Sequence, residues 1–502
     1  MKGFKRNFKP LELLTDDKLE AIHRGTLRVL AETGLAFHDE RALKLFAENG
    51  CPVDFEMKRV RIPEWLVEEC LAKCPSTFRV RARDSKNDLV ISCGDVTYFR
   101  PSPGMTTLDL DTWEPREPTR KEFYDYMKVL DALPNVHMLT PFPYFGFAKV
   151  PQCMRLVEGN AAKIRNSTKV QIEGSAVVDN NRWNIEMAKA TGQDIFNFTN
   201  PSPPLTYFEN NVSDIYRYTE ENVPFHFTSG PVAGSTGPAT IAGVSVTNNA
   251  ESLAGIILAQ LIRPGVRVWV ANMTFMQNMR TGSPAFGDIG NSLNQVIFSQ
   301  MWRKYKVPNF SSYSGWSSSK TIDFQVAYEK SMAALISALS GSAVVSLQGG
   351  LTGELTAHPV QAILDDDIAG MIGRFLEGVE VSDDTLAVDV IGEVGPIPGH
   401  FLSTAHTRAW WKKEQFIPKI EERLPFPEWK KLGKRKAIDR AKERFEEIVS
   451  THKPLPLPPE QEQAIEDILR DAREYYRKKG MISEEDWSIY QKDLNSPNYP
   501  YG

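Results

Sequence analysis

The sequence predicts an α/β protein, a (β/α)8 TIM-type barrel with an N-terminal helical segment and a C-terminal helical extension. From about residue 88, short β-branched and aromatic runs alternate with helix-length amphipathic stretches, the alternation expected of βα units. The runs can be counted to eight, over a length that suits a typical barrel. A doubly wound sheet with a side domain is the alternative architecture for the same alternation.

Residues 1–87 read as a helical entry segment. Thr15 stands as an N-cap ahead of Leu19, Ile22, Val29 and Leu30 on one helical face, and Gly34 ends the helix. Further helices are expected over 40–49 and 63–74. The barrel takes residues 88–415, with strands over 96–101, 136–142, 170–176, 205–210, 225–230, 266–273, 309–315 and 343–349. Helices such as 120–133, 181–191, 213–221, 250–262, 322–339 and 366–377 lie between and after them. Residues 380–415, with Gly392, Gly395, Pro396, Pro398 and Gly399, suggest a further small strand-and-turn region. The last unit, 416–502, holds charged amphipathic helices over 421–452 and 460–479. The run Pro454-Leu-Pro-Leu-Pro-Pro459 joins them as a stiff spacer. These helices wrap the barrel or bridge subunits of a homo-oligomer.

Composition removes several function classes. A chain of 502 residues with 41% hydrophobic content can bury a large core. Its net charge of −5, from 59 basic and 64 acidic residues, gives no footprint for neutralising phosphates, so no nucleic acid partner is expected. The basic start, Met1 to Pro10, has no apolar stretch behind it, and no later apolar run approaches the roughly 20 residues that cross a bilayer. The expectation is a cytoplasmic protein without a membrane partner. The five cysteines, all in the first third, are an odd number and read as reduced thiols. Cys70 and Cys74 have helical spacing for a shared metal, but no His or Cys cluster completes a tetrahedral set, so no metal is expected.

In a barrel of this class the site lies at the carboxyl ends of the strands. Aromatic residues recur there, among them Tyr98, Phe142, Tyr144, Phe145, Phe310, Tyr313 and Trp316. The two-residue side-chain period sends about half of such residues into packing. Ring faces attract a quaternary ammonium by about 0.5–2 kcal/mol each, which favours a methylated amine over a sugar phosphate. The glycine-rich loops at 230–234 and 349–353 lack a phosphate-binding Lys and read as tight turns. Tyr98, Phe142, Tyr313 and Trp316 are the candidates for the cation. His358, in Leu351-Thr-Gly-Glu-Leu-Thr-Ala-His358-Pro359, is the candidate for a substrate carboxylate, with Arg280 and Lys320 as further partners; a structural role for His358 is weighed equally. His226 reads as a core residue. No residue is assigned to catalysis, because no nucleophile–base motif is present. A barrel lyase or isomerase would need Asp323 or Glu329 as a base, and both read better as helix charges.

Several segments together carry a resemblance. Gly230-Pro-Val-Ala-Gly-Ser-Thr-Gly-Pro-Ala-Thr240, Asn249-Ala-Glu251 and Ile262-Arg-Pro-Gly265 are similar to the trimethylamine methyltransferase family. So are Ser319-Lys-Thr-Ile-Asp323, Tyr328-Glu-Lys330, Gly349-Gly-Leu351, Asp365-Asp-Asp-Ile368 and Gly399-His-Phe-Leu402 with His406-Thr407. The resemblance runs from about residue 11 to about 475. It implies transfer of a methyl group from an amine to cobalamin, a corrinoid carried by a cognate partner protein, with no tightly bound cofactor in this chain. Members that use trimethylamine carry pyrrolysine in the segment matching Gly315-Trp316-Ser317-Ser318, where this chain has ordinary residues. That implies the branch acting on quaternary amines, with glycine betaine favoured over carnitine or proline betaine. A quaternary nitrogen leaves as a neutral amine, so the cob(I) nucleophile needs only alignment and a desolvated cation. Where relatives have Gly-Ser-Pro-Glu after Arg280-Thr-Gly282, this chain has Gly287-Asp-Ile-Gly-Asn291, with Asn291 replacing an acid. The reading from a different class is a barrel that binds betaines or a corrinoid protein without turnover.

Overall fold

Eight parallel strands, each bounded by turns and followed by a helix, form the centre of the computed structural model. It describes every residue but Met1, Pro143, Tyr144, Ala176, Val178, Asn498 and 500–502. Tyr144 and Ala176, both in the sequence expectations, thus lie outside the described residues. The strands are β1 (Val96–Pro101), β2 (Met138–Leu139), β3 (Val170–Glu173), β4 (Ile195–Thr199), β5 (Phe225–Ser229), β6 (Val268–Asn272), β7 (Asn309–Ser311) and β8 (Val344–Gln348). Their order in the sheet is β1-β8-β7-β6-β5-β4-β3-β2, every pair parallel. A ninth strand, Phe4–Lys5, pairs antiparallel with β1. The sheet is curled: the His137 N–H, just before β2, donates to Phe99 O of β1 at 2.9 Å, linking the first and last strands of the parallel run.

Burial on both faces explains why these runs are apolar almost throughout. All five residues of β5 and of β6 are buried. On the concave face, Met138, Val170, Ile172, Phe196, Trp269, Phe310 and Val344 pack into one cluster with Tyr98. Trp269 lies between Phe196 and Phe310, with ring centroids 4.8 and 5.3 Å away. A hairpin, Thr77–Val80 with Leu89–Ser92, closes the amino-terminal end of this cluster through Phe78, Val80, Leu89 and Ile91.

The helices cover the convex face: α1 (Arg120–Ala132), α2 (Gln152–Asn166), α3 (Asn180–Ala190), α4 (Glu209–Glu220), α5 (Ile241–Ile262), α6 (Ile289–Lys304), α7 (Phe324–Leu339) and α8 (Pro359–Leu376). Starts are fixed locally: Thr119 and Glu122 make a capping box on α1, and Asp323 caps α7 by accepting from Gln325 N and Val326 N. Two more helices, α9 (Ala437–Thr451) and α10 (Pro459–Lys478), lie on either side of the proline run. Ala441 and Ile448 of α9, and Ile465, Leu469 and Tyr476 of α10, join the core of α1, α2 and α8. Arg473 pairs with Glu158 of α2 at 2.8 Å.

Three expectations change. The fourth strand is Ile195–Thr199, not 205–210; there only Thr206–Tyr207 is extended, and it pairs with Leu35–Phe37 in a separate small sheet. Both segments suit a strand, and local pattern does not say which sheet a strand joins. The entry segment is not wholly helical, since three strands of this small sheet, Leu35–Phe37, Val53–Asp54 and Arg59–Val60, and the first strand of the closing hairpin belong to it. Residues 380–415 form short helices, Asp383–Leu386, Val388–Val394 and Ala405–Glu414, without a strand among the described residues. Among the described residues no helix is long and apolar enough to cross a membrane. Among the described residues no group of three or more His, Cys, Asp or Glu is placed to hold a metal.

Candidate active site

The alternation that buries Tyr98 places Arg100, two residues on, on the same concave face nearer the carboxyl ends of the strands. Around it the concave face turns polar. Arg100 Nε donates to Ser346 Oγ at 2.9 Å, Nη1 to Thr140 Oγ1 at 3.1 Å and Nη2 to Ser312 Oγ at 3.5 Å. The guanidinium carbon stands 4.4 Å from the centre of the Phe310 ring. These partners come from β8, the loop after β2, and β7 with its following loop, so one cation ties the carboxyl-end face together. Burial alone lowers its pKa to about 9, which leaves it charged at neutral pH.

Above this layer opens a cavity of about 250 Å³, lined among others by Arg100, Thr140, Phe198, His226, Trp316 and Glu354. Trp316 is 3% exposed and packs on Phe275 and Phe286, at 5.5 and 6.1 Å between centroids. Its turn is held on two sides. Ser102 Oγ donates to Gly315 O at 2.8 Å, and Glu329 accepts from Ser317 Oγ and from Ser318 N at 2.9 Å. Phe198 lies against His226 at 5.6 Å, and a side chain at Gly174 would meet the Phe198 ring at 2.4 Å. Burial and the Arg100 charge push His226 well below its ordinary pKa, so it is neutral. Glu354 sits on the rim, its outer edge open to solvent, while desolvation by its surroundings raises its pKa.

The predicted site residues do not assemble as a set, and Trp316 is the one of the seven in this cavity wall. Tyr98 lies a layer below, accepting from Val90 N of the closing hairpin at 3.3 Å. Phe142 faces helix α1, against Phe123, Tyr126 and Phe145. Tyr313 points between α6 and α7, its hydroxyl donating to Ser292 Oγ at 2.9 Å. His358 caps α8, Nδ1 accepting from Val360 N at 3.1 Å, and lines a different cavity of about 380 Å³ near α9. Arg280 and Lys320 are exposed on loops after β6 and β7. Neither Asp323 nor Glu329 lines the strand-end cavity; each is occupied with loop and helix N–H groups. Asn291 braces the loop before α6, accepting from Met276 N and donating to Ala285 O, both at 2.8 Å.

Sequence reading passed over Arg100, Phe198 and Glu354. The signal for Arg100 was present, since an Arg two positions after an inward Tyr in a strand must face inward too. Phe198 was hidden with the unrecognised β4. His226, read as core, is both buried and part of the cavity wall.

The fold and this cavity define a class, an α/β protein with a cavity of small-molecule size at the carboxyl ends of its parallel strands. The chain belongs to the trimethylamine methyltransferase family, whose model, described as Trimethylamine methyltransferase (MTTB), matches residues 1–475. It is a methyltransferase of that family. It is 32% identical over 458 residues to the Glycine betaine methyltransferase of Desulfitobacterium hafniense (strain Y51), across 89% of this chain and 94% of that protein. It is 30% identical over 487 residues to the Trimethylamine methyltransferase MttB of Methanosarcina barkeri (strain Fusaro / DSM 804), across 92% and 94%. In fold it resembles the crystal structure of the hydroxylamine MtmB complex, with a TM-score of 0.52 at 12% identity, covering 88% of this chain and 89% of that one.

Proposed function

We propose that this chain takes a methyl group from a quaternary amine, with glycine betaine as the first choice, and passes it to cob(I)alamin carried by a partner corrinoid protein. The observation that supports it most is the strand-end cavity, where the Trp316 indole and the Phe198 ring form walls and Glu354 stands at the rim. Ring faces and a carboxylate suit a cation that has no N–H to donate. The exposed Met105 and Leu355 beside this opening suit an apolar partner face.

The cob(I) corrinoid, as acceptor substrate, supplies a nucleophile strong enough to displace an amine. In the transfer the N–CH3 bond breaks with its electron pair left on nitrogen, and a cobalt–carbon bond forms. The released amine is neutral, so no proton has to be delivered. The chain's own contribution is to strip water from the cation, to hold it with Trp316 and Phe198, and to fix its direction. This agrees with a cavity in which the imidazole of His226 is neutral.

The reading extends to a closed (β/α)8 barrel over 88–415, flanked by units 1–87 and 416–502, and the hydrogen bond from His137 to Phe99 supports closure. It also takes the protein as a cytoplasmic homo-oligomer. Free cysteines agree with that compartment, and the exposed Val379, Ile397, Leu402 and Phe426 suit an interface between copies. The test is anaerobic mixing of the purified protein with cob(I)alamin and a panel of quaternary amines, following the Co(I) absorbance. Turnover with at least one trimethylammonium compound is expected; a protein that binds betaines while Co(I) persists throughout is a non-catalytic binder.

A further inference from the structure

We propose that Arg100 is the carboxylate anchor of this site, and that it holds a zwitterionic substrate with its ammonium end turned outward to the methyl acceptor. The inference rests on the methyl-transfer reading above for the identity of the cation, and adds the anion and the direction.

Three observations carry it. The first is a charge without a counter-charge: Arg100 is 5% exposed, yet its protein partners are three neutral hydroxyls and a ring, and among the described residues no carboxylate pairs with it. Elsewhere most buried cations face an acid, Lys169 being held instead by the carbonyls of Leu130 and Leu133. Lys163 faces Glu173, Lys330 faces Asp365, Arg165 faces Glu462 and Glu466, and Arg473 faces Glu158. A buried cation left unpaired within the chain is stabilised when a ligand brings the missing anion.

The second is donor geometry. A guanidinium has five N–H groups, and the hydroxyls take one at Nε and one at each terminal nitrogen. One N–H on each terminal nitrogen remains, and Arg100 lines the cavity, so donors are left there for a carboxylate.

The third is polarity along the cavity. Arg100 is on the strand layer that forms its floor, while Glu354 is at the rim and Trp316 in the wall. A molecule with a carboxylate at one end and a trimethylammonium at the other fits this field in one direction, anion inward and methyl groups outward. A large acceptor can approach only from the open side, so the orientation that satisfies Arg100 also presents the methyl. A quaternary amine lacking the carboxylate loses the anchor and meets the guanidinium charge.

Calorimetric titration of the full chain with glycine betaine, its ethyl ester and choline tests this, because the ester keeps the cation and removes the negative charge. The wild-type protein is expected to bind betaine at least about ten-fold more tightly than the ester or choline. Arg100→Gln should lose at least about ten-fold for betaine and bring betaine and ester within about three-fold of each other, with Arg100→Lys between it and wild type. Equal wild-type affinity for betaine and ester overturns the proposal whether or not R100Q folds; so does a folded R100Q that binds betaine as wild type does. Methyl transfer to cob(I)alamin, measured alongside, separates the two readings. A chain that prefers betaine through Arg100 but transfers no methyl refutes the function and keeps the anchor. One that demethylates betaine and ester with equal kcat/KM keeps the function and refutes the anchor.

Discussion

Trp316 stands in the cavity wall because the turn before it has no slack. A side chain at Gly315 would meet Ser102 Oγ at 2.0 Å, so the loops after β1 and β7 can pack this closely only with glycine there. Replacing Trp316 with Leu keeps an apolar wall but removes the ring face. Affinity for a quaternary ammonium should then fall roughly 3- to 30-fold in a calorimetric titration, the range set by one cation–π contact. A loss under two-fold would move the cation away from the indole. His358 gives the opposite expectation, since it serves as the cap of α8. His358→Ala should cost about 1 kcal/mol of stability in urea denaturation and change betaine affinity by less than about two-fold. At this scale the sequence was half legible. An aromatic after a strand run marked Trp316, and His-Pro is a helix-start pattern. Arg100 needed the parity of β1 to be followed residue by residue, because one step along the strand separates the cavity from the helices.

Elements are held in register by buried polar groups that the motif segments supply, which explains why those fragments stand out along the chain. Lys330 of α7 donates to Asp365 of α8 at 2.6 Å, and Asp365 accepts from Gly349 N at 2.8 Å, so three of the segments meet behind the end of β8. Glu251 of α5 accepts from Leu205 N at 2.8 Å and from Ser229 Oγ at 2.6 Å, joining the loop after β4 to the end of β5. Burial raises the Glu251 pKa to about 7, from about 4.5 in an open chain. The folded protein therefore holds this proton more tightly than the unfolded one. The stability it confers is complete below pH about 4.5 and is lost as pH rises to about 7, a change of about 3 kcal/mol. Glu251→Gln should flatten that decline in urea denaturation curves taken at pH 5 and pH 7; an unchanged slope would show that another group is responsible. Seven of the eight predicted strand runs contain parallel strands of the curled sheet. The fourth failed because two neighbouring segments both suit a strand, and pairing partners are a long-range property.

For the whole molecule, the organisation follows from where apolar surface has to go. The curled sheet buries both faces, the eight helices cover its outside, and α9 and α10 cover the helices α1, α2, α3 and α8. That leaves the carboxyl-end face for loops, and there the concave side changes from an aromatic core to a charged, hydroxyl-lined floor beneath an indole. The wrapping by the charged C-terminal helices was legible as one of two outcomes, because amphipathic faces show that something is covered but not by what. Under the proposed function this architecture activates nothing: it holds a methyl group that is already activated by the fourth bond on nitrogen. The most direct measurement compares glycine betaine with dimethylglycine as methyl donors to cob(I)alamin, quantifying methylcobalamin against the amine released. One methylcobalamin per betaine demethylated, and none from the tertiary amine, is the expected result. Equal methylation of cobalt by dimethylglycine, or betaine consumed without methylcobalamin, would contradict it.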